Sequence, residues 1–496
     1  MIVLAAPEAR PAGRVAVATL ARAEARLVLR SPLLWGGLLL SVGLGTAWGW
    51  TRMPTWETFA QNAGMSSLVL AGALLLAGQL AASRDRRAGA ESIETVPTTR
   101  VRRGFALLAL VVVAGGAGAV LCLAELLLLL PAWPVGRFDP WTLLVTMVVP
   151  AIGAAIGVAV GRRLPATAAG PLALVGAAVV LASLPVFSTG TDSLVWQLFP
   201  VPTAPWETGA ARPTGWHLSY LLAVLVAIVA MLGWGHRRVV TAGVVAVAVV
   251  AAVVATDQQL RAVPAVIDKS MEDALTGPAV LDCEMHGGVR YCALPHYTGW
   301  VPLWRDAVEP VSRNLPAAAR RPAVRQFGDA QWGDPLVVGE PEIVTGTVWG
   351  RHGRWAEDSR DRMTVAYVTA VTGLLQRRLP TAAPGGSACT GAGQHRTVVA
   401  LWLLAQATPD GRRRLADGRL DLGRVQHGRA DEQAASALLE RPHDEVATFL
   451  AAHWTQLMDP NAMALAPLGV TTRPPRVPPT DAPPASGVTN RPESCR

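Results

Sequence analysis

Residues 105–130 read FALLALVVVAGGAGAVLCLAELLLLL, 26 residues with one charge among them, Glu125. A helix rises about 1.5 Å per residue and the hydrocarbon core of a bilayer is about 30 Å thick, so the run spans lipid with residues to spare. Six further stretches have the same character: Pro32–Trp50, Gly64–Ala82, Trp141–Val160, Ala166–Phe187, Leu218–Trp234 and Val239–Ala255. Ser31 followed by Pro32 supplies an N-cap and a first-turn proline for the first of them. That run is long and no small-x-small site follows it, so it reads as an anchor rather than a cleaved signal peptide.

The composition around these runs agrees. Of 496 residues, 51% are hydrophobic and 16% charged, against about 25% charged in a soluble domain, which excludes a single water-soluble globule. Residues 257–496 hold 26 basic and 26 acidic side chains, so the whole +8 excess lies in residues 1–256. There the arginines fall between apolar runs and act as topology signals, not as a nucleic-acid footprint. No nucleic-acid partner is expected.

Basic residues stay cytoplasmic. With the N-terminus inside, fifteen arginines fall in inner segments and only Arg52, Arg137 and Arg212 in outer ones. Seven crossings then place everything after Ala255 outside. The expected architecture is an α-helical integral membrane domain of about seven transmembrane helices in the cell membrane, carrying a mixed α/β extracytoplasmic domain. Its parts are a cytoplasmic amphipathic segment (1–30), the transmembrane domain (31–256), the extracytoplasmic domain (257–470) and a Pro-rich, disordered tail (471–496).

In the C-terminal region Val289–Leu294 and Leu336–Val338 read as strands, and Met363–Leu375, Thr397–Ala405 and Glu445–Leu457 have helical spacing. Its tryptophans, Trp300, Trp304, Trp349, Trp355, Trp402 and Trp454, read as core. Cys283, Cys292, Cys389 and Cys495 are an even set suited to an oxidising compartment. Two readings compete for Cys283-x2-His286-x5-Cys292-x3-His296: four zinc ligands, or a Cys283–Cys292 disulfide closed by a turn at Gly287-Gly288. The disulfide is the simpler, and no metal is expected. Cys389 precedes a helix whose N-terminus would activate a thiol, yet His395, six residues on, points elsewhere and no base is placed. His443 and His453 read as surface or capping residues.

Absent motifs narrow the function. A P-loop needs Gly-x4-Gly-Lys-Ser/Thr, and the one lysine, Lys269, follows Asp268. Neither His-Glu-x-x-His nor Gly-x-Ser-x-Gly occurs. The chain is not expected to be an enzyme.

Two segments carry a mechanism. Val15–Arg30 sets Arg22, Arg26 and Arg30 four residues apart on one face, an amphipathic helix suited to the inner membrane surface. The loop Ser83–Gly104 is basic at both ends, with Glu91 and Glu94 in a short helix-like centre that Pro97 should end. Through these features residues 15–255 resemble the actinobacterial permeases of ABC exporters, the ABC-2-type family, whose N-terminal amphipathic helix and first cytoplasmic loop show a similar Arg-rich, Glu-x5-Pro pattern.

The resemblance implies a transmembrane domain without its own ATPase, and two permease chains, identical or different, per transporter. A separate ATP-binding subunit, which carries the ATP and Mg, would dock on that loop; no cofactor belongs to this chain. Carried over, Arg86, Arg87, Glu91, Glu94 and Pro97 form the ATPase-coupling element. The short outer-surface helices of the family correspond to Ser193–Phe199, with Trp206 and Trp216 behind. The family core has six helices, so Val239–Ala255 and the outer domain are additions. Glu125 and Gln79 are intramembrane polar residues, costly in lipid and often functional. The rival function is a membrane-anchored extracytoplasmic enzyme or sensor with no transport role.

Overall fold

The computed structural model describes residues 13–87, 97–187, 198–201, 213–232, 238–276, 281–326, 336–337, 342–346, 348–374, 389–473 and 494–495. It divides into two compact units, Met1–Met271 and Glu272–Arg496.

In the first unit the apolar runs become helices: α1 (Gly13–Leu29), α2 (Pro32–Gly49), α3 (Trp56–Arg87), α4 (Pro97–Leu129), α5 (Pro140–Arg163), α6 (Ala169–Phe187), α7 (Thr214–Leu232) and α8 (Arg238–Thr276). Six contain stretches long and apolar enough to cross a membrane: α2, α3, α4, α5, α7 and α8. The seventh run forms α6, whose apolar part, Ala169–Leu184, is shorter. Pro97 opens α4, the position where its missing N–H costs nothing; the acidic stretch before it, residues 88–96, lies outside the described residues. Likewise α8 continues past Ala255 to Thr276, so the helix does not stop where the apolar run does.

Ser31 caps α2 by accepting from Leu33 N at 3.3 Å, and Asp139 caps α5 by accepting from Trp141 N at 2.9 Å. The helices pack through small residues. Gly153, Gly157 and Gly161 recur at four-residue steps along α5, and a methyl group at any of them would overlap the carbonyl oxygen of Ala71, Leu75 or Gln79 on α3. Such backbone-to-backbone approach is the means by which helices associate in lipid, where no hydrophobic drive acts between them, and it is joined here by a cluster of buried leucines including Leu70, Leu74, Leu107 and Leu110. Outward, the unit is unlike a soluble protein: Leu172, Val175, Val179, Val239, Val247 and Val253 all lie exposed on α6 and α8, an apolar surface that water would not tolerate.

The second unit is mixed α/β. Strands β1 (Asp282–His286), β2 (Val289–Ala293), β3 (Ala323–Gln326), β4 (Leu336–Val337) and β5 (Glu342–Thr345) form one sheet in the order β1-β2-β3-β5-β4, with β2, β3 and β5 parallel and the two edges antiparallel. Gly287 and Gly288 both take positive φ, 58° and 80°, the pair that a two-residue hairpin turn requires. That turn fixes the β1–β2 register. Helices α9 (Val301–Ser312) and α10 (Gly353–Val371) contribute buried Trp304, Val308, Met363 and Tyr367. The remainder is β6 (Cys389–Thr390), α11 (His395–Ala407), α12 (Gly411–Ala416), β7 (Val425–Gln426), α13 (Arg429–Glu440) and α14 (His443–Leu457), with β6 and β7 paired in parallel. Residues 395–405 of α11 are buried on every side, the signature of a central helix. Of the tryptophans read as core, Trp355 is the exception, 45% exposed on the first turn of α10.

Candidate functional site

The ends of the helical unit differ in chemistry. At one end α3 finishes in Arg84, Arg86 and Arg87, and α5 in Arg162 and Arg163. Arg162 Nη1 donates to Leu232 O of α7 at 2.5 Å. Here α1 is fastened by Glu24, which is buried with Val28 on the packed face of the helix. Its carboxylate lies 2.5 Å from Arg103 of α4 and 3.6 Å from Arg84 of α3. A carboxylate removed from water needs such partners. The opposite end is aromatic, with Trp56 packed edge-on against Phe138 (4.8 Å) and Trp133 (6.2 Å), with Trp48, Trp50 and Trp141 exposed nearby in sequence and Trp216 exposed on the first turn of α7. Tryptophans collect at a membrane–water boundary.

The sequence-predicted residues fall into this frame unevenly. Arg22 and Arg26 lie on the exposed face of α1, and Arg30 follows its end. Arg86 and Arg87 close α3, where Arg87 Nη2 donates to Leu80 O at 2.9 Å, and Pro97 begins α4. Glu91 and Glu94 lie outside the described residues, as do Ser193 and Trp206. Gln79 donates from Nε2 to Ala166 O at 3.1 Å and packs against Gly170, so its amide ties α3 to the start of α6.

Glu125 is buried on α4, 4% exposed. Its carboxylate faces the Ser66 hydroxyl of α3, and Ser41 Oγ of α2 lies buried without a hydrogen-bond partner among the described residues. Sequence reading missed Glu24, Ser41 and Ser66; only the fold brings Glu24 to Arg103, 79 residues away.

In the second unit Cys283 and Cys292 are cross-strand partners on β1 and β2, Cα–Cα 4.0 Å, joined in a disulfide. Both thiols are thereby consumed, and among the described residues no group of three or more His, Cys, Asp or Glu could hold a metal. His286 instead meets Glu284 at 2.9 Å. Cys389 is not at a helix N-terminus but on β6, in a disulfide with Cys495, Cα–Cα 4.9 Å. The end of the Pro-rich segment is therefore fixed: Cys495 N donates to Thr390 O at 2.9 Å, and Cys495 O accepts from Gln394 Nε2 (2.9 Å) and Arg396 Nη2 (2.8 Å). Arg396 also donates to Gly373 O and Gln394 Oε1. Burial lowers its pKa to about 10.

Beside it, His395 Nδ1 accepts from Leu465 N at 2.8 Å, which leaves Nε2–H to donate to Thr472 O at 3.0 Å. The ring is thus neutral and structural, and burial holds its pKa below the ordinary imidazole value. A depressed folded-state value contributes stability above the unfolded pKa, about 6.5, that is lost as pH falls. The Tm of the C-terminal unit should therefore drop between pH 7 and pH 5, and His395→Gln should flatten that slope. Asp431, raised by burial, acts with the opposite sign, so an unaltered slope in the variant would remove His395 as the cause. His443 Nε2 pairs with Asn314 Oδ1 at 3.1 Å and stacks on Trp402, and His453 stacks on Phe449.

Comparison with family models, with curated proteins and with solved structures returns no match for this chain.

Proposed function

We propose that the chain is the membrane-embedded permease subunit of an ABC-type exporter, driven by a separate ATP-binding subunit that docks on the segment Arg86–Pro97. The observation that carries this reading is the Glu24 cluster. Arg84 and Arg103, which both meet Glu24, bracket that segment in sequence. A force on the segment would reach α1, α3 and α4 together, as a coupling element requires.

Sidedness follows from charge and redox chemistry. The arginine-rich end faces the cytoplasm by the positive-inside rule, and two disulfides in the second unit suit an oxidising compartment. Those two conditions require an odd number of crossings. On this reading α6 crosses as well, giving seven, and the second unit is extracytoplasmic. Two permease chains, paired across the bilayer, would switch between access states when the partner hydrolyses ATP.

Reversing charge at Glu91 and Glu94 together should lower partner-stimulated ATP hydrolysis severalfold while membrane insertion is unchanged. Wild-type complex formation and turnover in the double variant would refute the assigned coupling element.

A further inference from the structure

We infer that Glu125, Ser66 and Ser41 form a cation-binding site inside the helical unit, reached from its aromatic end. The inference needs only the helical unit and stands apart from the exporter reading. Three helices meet at this point: Gly45 of α2 leaves room that the Glu125 carboxylate of α4 occupies, and a methyl group at 45 would overlap Glu125 Oε1 and approach Ser66 Oγ to 2.5 Å. Ser66 and Ser41 are fully buried, 0% exposed; the Ser66 hydroxyl faces the Glu125 carboxylate, and Ser41, one helical turn from Gly45 on α2, has a hydroxyl with no partner among the described residues. Buried polar atoms are normally hydrogen-bonded, and a buried carboxylate needs a compensating cation. Carboxylate and hydroxyl oxygens are hard donors, and one negative charge matches one positive one. The chemical class is a small monovalent cation, a sodium ion or a proton.

An access route lies directly above. A cleft lined by Trp48, Gly49, Arg52, Asn62 and Leu129 opens at this end of the unit. Gly49, Asn62 and Leu129 sit four residues from Gly45, Ser66 and Glu125 respectively, one helical turn on each helix, or about 5.4 Å. Gly49 packs against the Asn62 amide, so the lining of the cleft and the carboxylate are one helical turn apart on these helices. The titratable and charged groups facing the site are few. Cys122 lies one turn away on α4, Glu57 opens α3, Arg52 stands in the cleft, and Asp139 caps α5 at this end; α2 has none, and on α5 the arginines are at the far end.

The test uses the full-length chain in detergent. Sodium chloride, exchanged against N-methyl-D-glucamine chloride at constant ionic strength, should give a saturable rise in Tm. Glu125→Gln should abolish it, and Ser66→Ala should shift its midpoint about tenfold upward. If sodium has no effect but acidification stabilises wild type relative to Glu125→Gln, the cation is a proton. The site is overturned if wild type responds to neither, if either response survives in Glu125→Gln, or if Ser66→Ala responds with the wild-type midpoint. Should Glu125→Gln not fold, Ser66→Ala and Ser41→Ala decide by the same midpoint.

Discussion

Replacing Gly157 with leucine will leave no folded helical unit. The α-carbon of Gly157 faces the backbone of Leu75, and even a methyl group there would overlap the Leu75 carbonyl oxygen. Overpacking against mobile side chains costs about 1–3 kcal/mol. Here the obstacle is main chain that cannot rotate aside, flanked by the same contacts at Gly153 and Gly161, so the cost exceeds that range. Gly157→Ala should already lower Tm, whereas Gly36→Ala, with nothing within 4 Å of the new methyl, should behave as wild type. Fluorescence-detected size exclusion in mild detergent separates these outcomes. A monodisperse Gly157→Leu protein would mean that the α3–α5 contact is not as described.

The second large effect concerns the C-terminal unit. The Cys389–Cys495 bridge closes a separation of 106 residues, and Cys283–Cys292 one of 9. In the chain-entropy description these contribute roughly 4.7 and ~2.7 kcal/mol. The longer bridge carries a further consequence. Freeing Cys495 takes from Arg396 Nη2 and Gln394 Nε2 the carbonyl they share, and a buried donor left without an acceptor costs about 1–3 kcal/mol. Cys389→Ser should therefore lower the Tm of the full-length protein clearly more than Cys283→Ser with Cys292→Ser. Equal losses would show that the tail contributes little to the fold.

What the sequence disclosed and what it hid divide along physical lines. Length and apolarity disclosed the helices, because lipid demands a fixed run of such residues. The Gly287-Gly288 turn disclosed the β1–β2 hairpin, because only glycine adopts that φ pair cheaply. Hidden features depend on distance along the chain: nothing local says that Glu24 will meet Arg103, or that Arg396 will be buried against Cys495. Three signals were present and differently weighted. The Gly153-x3-Gly157-x3-Gly161 spacing lies inside a hydrophobic run and was masked by it. Pro97 suits a helix start as well as a helix end. The composition of residues 471–496 indicates disorder, yet its penultimate residue is a cysteine whose partner fixes the end. The apolar run likewise ends at Ala255 while α8 goes on to Thr276, since polar residues can continue a helix that apolar ones began.

A permease powered in trans should bring its ATPase with it when the tagged full-length chain is affinity-purified from its own membrane in mild detergent. The account predicts a stoichiometric subunit bearing a P-loop, with ATP hydrolysis that falls when Glu91 and Glu94 are reversed. A chain that purifies alone, with no ATPase at any detergent concentration that keeps it folded, would contradict it.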